Sequence, residues 1–330
     1  MNSLVSTQTP LRVGLLGGGT DLPEISNKIG GAVLNFAFDQ YVYVTIKKHS
    51  GLFEEKFRLQ YSETELCTNV QEIKNDIIRC TLLYFEIKTP LVIQTISDIP
   101  SSSGLGSSSS FTVGLVNAVN KMFDLKIPNS DVPEVSYRIE RSIPNSSIGR
   151  QDIYAASTGG MNLFEFNERT SISPINNSQY INDNLINNIL LIWTGIHRSA
   201  NEVLSQQVKS IDKDIDIYKK LKKLPFQGFE ILSKANPNFQ EEFCKLLNIN
   251  REIKYKLSDK IAPKYILEIE KEIIRFGAIS TKLLGAGGGG FILAIFKDKQ
   301  AAYDASLALP YTNLPVHLDL YGSRVTQFIK

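Results

Sequence analysis

Three glycine-rich segments and two carboxylates carry the residue types from which a phosphate-handling site can be built. The most distinctive is SSSGLGSSSS, residues 101–110, made only of Ser, Gly and one Leu. Such a run is either a flexible linker or a loop that wraps phosphate. A phosphate cradle needs glycines for close backbone approach, inward N–H groups and the partial positive charge of a helix N-terminus. Gly104 and Gly106 meet the first need. Phe111, Leu115, Val119 and Met122 recur at helical spacing, so a helix beginning near Ser107 meets the others. Val92, Ile93 and Ile96 predict a strand ending just before the run. The order strand, Gly/Ser loop, amphipathic helix favours the cradle, although neither GxxxxGK[ST] nor GxGxxG is present there. Ser107–Ser110 add hydroxyls, one of which can ligate Mg²⁺.

RVGLLGGGTD, Arg12 to Asp21, contains the triple Gly17–Gly19 and ends in a carboxylate. Taken alone it reads as a structural turn. LGAGGGGF, Leu284 to Phe291, holds a formal GxGxxG match at Gly285, Gly287 and Gly290. A dinucleotide fingerprint must open a helix, whereas this segment runs into the apolar stretch Phe291–Phe296. It predicts a tight hairpin whose glycines admit another part of the chain or a ligand. Between these segments, Glu140 ends a helix that begins near Val132, and Asp152 follows a Pro/Asn/Ser/Gly loop. Two such carboxylates can converge on one metal–phosphate group, with Arg150 near enough in sequence to keep Asp152 ionised. In isolation they read as solvated acids. The glycine-rich loops shift that balance.

The rest of the 330-residue chain bounds what these residues can serve. Hydrophobic residues make up 42% and charged residues 21%, the composition of a soluble globular protein. With 36 Lys and Arg against 34 Asp and Glu the net charge is +2, so no basic stripe points to nucleic acid. No basic, apolar leader and no run of roughly 20 apolar residues is visible, which predicts a cytoplasmic protein without a membrane partner. Cys67, Cys80 and Cys244 are odd in number and scattered, as are His49, His197 and His317, so neither a disulfide framework nor a permanent metal site is expected.

The elements that must position the candidate residues fall into two groups. Residues 176–188 contain six Asn in thirteen positions and read as a connector, or else as a long surface loop within one continuous domain. Before it, residues 32–48 read as a strand. After it come a strand at 189–193, a helix at Ser199–Ser210, a long helical stretch broken near Pro225, Pro237 and Pro263, and strands at KLLG and FILAIF. A helix over 298–309 and a last strand near 316–321 complete the chain. Without the inserted helices this is the β-α-β-β-α-β order of ferredoxin-like domains. The Lys-rich stretch Lys219–Lys223 reads as a solvated face.

Three motifs in this order resemble those of the GHMP kinases, which phosphorylate galactose, homoserine, mevalonate and related small molecules. PSSSGLGSSSS, Pro100–Ser110, is similar to the family's PxxxGLGSSA loop, with Ser109 where Ala is usual. RVGLLGGGTD resembles the first motif and LLGAGGGGF the third. The resemblance implies an α+β fold in two domains, an N-terminal ATP-binding domain over 1–180 and a ferredoxin-like domain over 181–330. It implies ATP and Mg²⁺ at Pro100, Ser103, Gly104, Leu105, Gly106, Ser107, Ser108 and Ser109, with the metal on Ser108 and Glu140. Asp152 takes the place of the catalytic Asp, Arg12 of the basic residue beside it and Asp21 of a sugar-binding Asp. GGGTDLPEI and GRQDIYAA look most like the kinases of D-glycero-D-manno-heptose 7-phosphate. Gly18 and Gly19 stand where galactokinases have Glu and His, which disfavours galactose and opens room for a bulkier sugar. Acceptor binding is expected from Gly18, Gly19, Thr20, Asp21, Gly287 and Gly288, with Arg198 or Arg150 on a substrate phosphate. The implied reaction is phosphorylation of a sugar phosphate at its anomeric hydroxyl. A kinase for fucose or a related hexose, and a non-catalytic sugar and ATP sensor, are the alternatives, and a homodimer is left open.

Overall fold

The computed structural model describes residues 3–196 and 211–330. The first half runs β1 (Leu4–Leu16), α1 (Pro23–Ile29), β2 (Gly31–Lys48), β3 (Phe57–Gln60), β4 (Thr64–Cys67) and α2 (Asp76–Tyr84). It continues with β5 (Leu91–Ser97), α3 (Ser107–Phe123), α4 (Val132–Arg141), α5 (Gln151–Thr158), β6 (Met161–Phe166) and β7 (Thr170–Pro174). β2 is the spine. It pairs with β1 on one side, and on the other it gives its first six residues to β6 and its last seven to β5. Its β-branched and aromatic side chains suit a pleated, largely buried surface, which is why the predicted strand over 32–48 forms at nearly those bounds.

α3 covers β1 and β2 with a face that includes Leu115, Ala118 and Val119. Its approach to β1 is close because Gly114 has no side chain. The Thr7 hydroxyl donates to the Gly114 carbonyl at 3.1 Å, and a Cβ on Gly114 would stand 2.8 Å from Thr9 Oγ1. The helix that carries the Ser/Gly loop is thereby seated directly on the strand that carries Arg12.

The second half runs α6 (Ser178–Asn184), β8 (Ile189–Trp193), α7 (Ile211–Lys234), α8 (Phe239–Tyr255) and α9 (Lys264–Arg275). β9 (Ser280–Leu283), β10 (Phe291–Ile295), α10 (Lys299–Ala308), β11 (Asn313–Pro315) and β12 (Arg324–Ile329) follow. β11, β8, β10 and β9 form an antiparallel sheet in that order, the ferredoxin-like arrangement expected from the sequence.

Four local expectations are corrected. The Asn-rich connector is helical, because Ile181, Leu185 and Ile186 are buried and anchor it while its Asn side chains bond to nearby carbonyls. Pro225 does not break α7. It is buried against the Gly17 turn, and Gly228 one turn on packs against Leu16 and Leu34, so tertiary contact outweighs the lost helical hydrogen bond. Residues 316–321 are not a strand beyond one bridge between Phe38 and Leu318. There the buried Asp319 accepts from the N–H groups of Tyr321 and Gly322 and from Arg324, which turns the chain. β12, which the sequence did not reveal, then returns to pair with β1, so sheet membership is not divided at a single point in the chain.

The helix expected at Ser199–Ser210 lies outside the described residues. Cys67 and Cys244 are buried and Cys80 is half-buried, all three as free thiols. Among the described residues no helix is long and apolar enough to cross a membrane. Gly114→Val is expected to push α3 off β1 and to lower unfolding free energy by about 1–3 kcal/mol, the usual cost of overpacking. Urea denaturation monitored by circular dichroism measures it.

Candidate active site

A cavity of about 310 Å³ opens where β1, α3, α4, α5, α8 and β9 meet. One wall is the loop Ser102–Gly106 with the first turn of α3. The loop turns into the helix at Gly106, which stands at φ +80° in the left-handed region that glycine tolerates. No side chain caps the helix. Ser110 N–H donates to the Gly106 carbonyl at 2.9 Å, and the N–H groups of the three serines before it have no acceptor within the helix. That end is therefore disposed to bind an anion.

The third glycine segment lies directly against this loop. A Cβ on Gly285 would come within 2.7 Å of Gly104 Cα, and one on Gly290 would collide with the Ser103 carbonyl. The Phe291 N–H donates to that carbonyl at 3.1 Å. The glycines between β9 and β10 thus serve backbone contact with the loop, as the hairpin reading expects.

Arg12 joins the elements around the cavity. Its N–H donates to Leu105 O at 3.0 Å and its Nη1 to Gly104 O at 2.7 Å. Nε and Nη2 each reach an oxygen of Asp152, both at 2.7 Å. A planar guanidinium suits such a two-point contact. The partner of Asp152 is therefore Arg12 rather than Arg150.

Asp21 is buried and accepts from Gly19 N–H at 3.1 Å and from the Gln151 N–H and amide at 3.1 and 2.9 Å. Burial, with Asp152 nearby, raises its pKa from 3.8 to about 6 against those hydrogen bonds. Glu140, also buried, accepts from Ser109 at 3.1 Å and Thr112 at 2.5 Å, and burial raises it from 4.5 to about 7. Two buried lysines complete the wall, Lys254 from α8 and Lys282 from β9. Among the described residues no group of three or more His, Cys, Asp or Glu could hold a metal ion.

Two family models match the chain, that of the GHMP kinases N terminal domain over residues 75–160 and that of the GHMP kinases C terminal over residues 234–313. The D-glycero-alpha-D-manno-heptose 7-phosphate kinase of Campylobacter jejuni is 32% identical over 320 residues, covering 92% of this chain and 93% of that one. The chain belongs to the GHMP kinases. It is an ATP-dependent kinase of that family. The mevalonate kinase of Methanocaldococcus jannaschii is 27% identical over 319 residues, 89% of this chain and 92% of its own. The crystal structure of a D-glycero-D-manno-heptose 1-phosphate kinase from Bacteroides thetaiotaomicron shares the fold. Its TM-score is 0.78 at 23% identity, covering 99% of this chain and 100% of that one.

Within this GHMP kinase the residues singled out by sequence divide into two sets. Arg12, Asp152 and Glu140 line the cavity, as do Ser103, Gly104 and Gly106 to Ser109, and Gly18, Gly19 and Asp21. The others serve the frame. Leu105 is buried and holds β1 through its carbonyl, while Pro100 is exposed outside the cavity. Thr20 spends its hydroxyl on the carbonyls of Gly17 and Ala32, both at 2.8 Å. Gly287 and Gly288 pack against Ile261 and Tyr265 instead of lining the cavity, because the hairpin is folded onto the segment before α9. Arg150 lies over the Tyr137 ring at 4.6 Å, near Glu134, and is turned from the cavity. Arg198 lies outside the described residues.

Sequence reading missed Gln151, Lys254 and Lys282. Lys254 sits in an ordinary-looking polar helix. Lys282 stands in the short strand β9, Ser-Thr-Lys-Leu, whose burial only the structure reveals.

Glu140 and Asp21 hold their protons more tightly in the folded chain than in the unfolded one. The stability they contribute is full at low pH and is lost as pH rises through about 6 to 7. Glu140→Gln is expected to flatten the upper part of that slope. Urea unfolding of both proteins between about pH 5 and about pH 8 tests it, and equal slopes would refute a bare buried carboxylate at this position.

Proposed function

We propose that this kinase transfers the γ-phosphoryl group of ATP to the anomeric hydroxyl of D-glycero-D-manno-heptose 7-phosphate, giving the 1,7-bisphosphate. The observation that carries the reading is Asp152, gripped by Arg12 beside the uncapped start of α3, with Asp21 on the same cavity. The Campylobacter relative's name supplies the sugar, and the bare backbone of Gly18 and Gly19 leaves room for seven carbons. In this reading residues 1–180 bind ATP, residues 181–330 close the site, and the enzyme works in the cytoplasm.

The N–H groups at the start of α3 receive the ATP phosphates. Asp152 takes the proton of the acceptor hydroxyl as that oxygen bonds to the γ-phosphorus and the bond to the ADP oxygen breaks. Arg12 orients Asp152 and offsets charge on the group in transfer, and Asp21 with Gln151 orients the sugar. Catalysis of this kind is mostly positioning and electrostatics.

The donor set fits Mg²⁺. A cation carried on nucleotide phosphates needs only one or two protein ligands, and Glu140 is a buried carboxylate with hydroxyl donors but no positive partner among the described residues. Glu140 and Ser108 would hold it. When bound, it neutralises charge on the phosphates.

Asp152→Asn is expected to lower kcat by about 10²–10⁴-fold with ATP affinity retained, since a general base supplies about that much. Turnover assays with nucleotide titration measure both. Full activity in the variant would remove Asp152 from the role. ³¹P NMR of the product should place the new phosphate on C1. Equal rates with fucose would favour a hexose kinase, and no ADP release with any sugar a sensor.

A further inference from the structure

Among the cations that line the cavity, Arg12 is already engaged by Asp152 and the Gly104 carbonyl. Lys254 and Lys282 make no ion pair with any described carboxylate. Lys254 is 6% exposed and its Nζ donates to Gly285 O at 2.7 Å. Lys282 is 4% exposed and its Nζ donates to Gly14 O at 2.7 Å and Leu15 O at 2.5 Å. Ammonium groups buried against carbonyls alone are costly, and an anion in the cavity would relieve them.

Burial lowers Lys254 from the ordinary lysine value to about 8, and Arg12 adds to this although Asp21 and Asp152 oppose it. Lys282 is pushed well down by burial, then by Lys254 and Arg12. Neither lysine has a described carboxylate against it, and an anion beside the two would restore their charged forms. Both side chains line the cavity, and Nζ of Lys254 stands 3.9 Å from where a Cβ on Gly18 would be.

Two sources could supply the anion, the γ-phosphate of ATP or a phosphate already on the acceptor. The start of α3 provides for the first. For the second, among the described residues Arg12 is engaged and Arg150 is turned onto Tyr137. We propose that Lys254, together with Lys282, forms the subsite for the phosphate that the sugar already carries, so that the kinase selects a phosphorylated acceptor. The inference rests on the sugar-phosphate reading above and names the residues that enforce it.

The test compares D-glycero-D-manno-heptose 7-phosphate with the unphosphorylated heptose in wild type, Lys254→Met and Lys254→Arg, with fluorescent-nucleotide binding as a check on folding. Wild type should prefer the 7-phosphate. Lys254→Met should lower the ratio of kcat/KM values for the two acceptors about 10–100-fold, the worth of one hydrogen bond to a charged group. The loss should sit in KM for the phosphorylated sugar, and Lys254→Arg should recover part of it. A ratio preserved in Lys254→Met, with wild type still preferring the phosphate, overturns the subsite and leaves the proposed function standing. A rise in KM confined to ATP assigns Lys254 to the γ-phosphate and also overturns it. No preference in wild type defeats the phosphosugar reading, and the subsite with it. Should Lys254→Met not fold, inorganic phosphate is tested as an inhibitor of wild type. Competition with the sugar phosphate supports the subsite, and competition with ATP alone overturns it.

Discussion

The guanidinium of Arg12 is the interaction on which the site depends. It is buried in β1, it holds both oxygens of Asp152 from α5, and it donates to the carbonyl of Gly104 in the loop before α3. Three elements far apart in sequence are thereby placed relative to one another by one rigid, planar group. A lysine has no such fork and would leave either the loop or the carboxylate loosely held. Arg12 is buried and Asp152 half-buried, so removing the carboxylate would strand the guanidinium charge, and the contact constrains the fold as well as the chemistry.

The second constraint is backbone contact between loops. Gly285 and Gly290 allow the β9–β10 hairpin to lie on Ser103 and Gly104. This contact fastens the second sheet to the loop before α3. It also brings the adjoining strand and helix, with Lys282 and Lys254, to the cavity wall. Asn250, one turn before Lys254, accepts from the Gly17 N–H at 2.9 Å and docks α8 on the first glycine motif. All three glycine segments are therefore joined through the second half of the chain.

These contacts enclose charges that are poorly matched when no substrate is bound. Asp21 and Glu140 are raised and Lys254 and Lys282 lowered, in each case mainly by burial. Such unmatched groups reduce the stability of the fold and are tolerated where ligands of opposite sign complete them. A kinase that receives the phosphates of ATP is a setting in which such groups have a use.

The sequence by itself determined the local elements and the chemistry of the loops. The strand over 32–48, the helix after the Ser/Gly run and the ferredoxin-like order of the second half were legible, because periodicity and glycine placement act over a few residues, whereas Arg12, Glu140 and Asp152 were brought together only by the resemblance to the GHMP kinases. Contacts across hundreds of positions were not legible. Only the tertiary structure decided that β12 returns to β1, that Pro225 stays within a helix, that Gly287 and Gly288 face Ile261 and Tyr265, and that Arg150 turns onto Tyr137. The same holds for Lys254. Nothing in REIKYK distinguishes it from a solvated lysine, and its meaning comes from being buried beside Gly285 and Gly18, which chain folding alone brings to it.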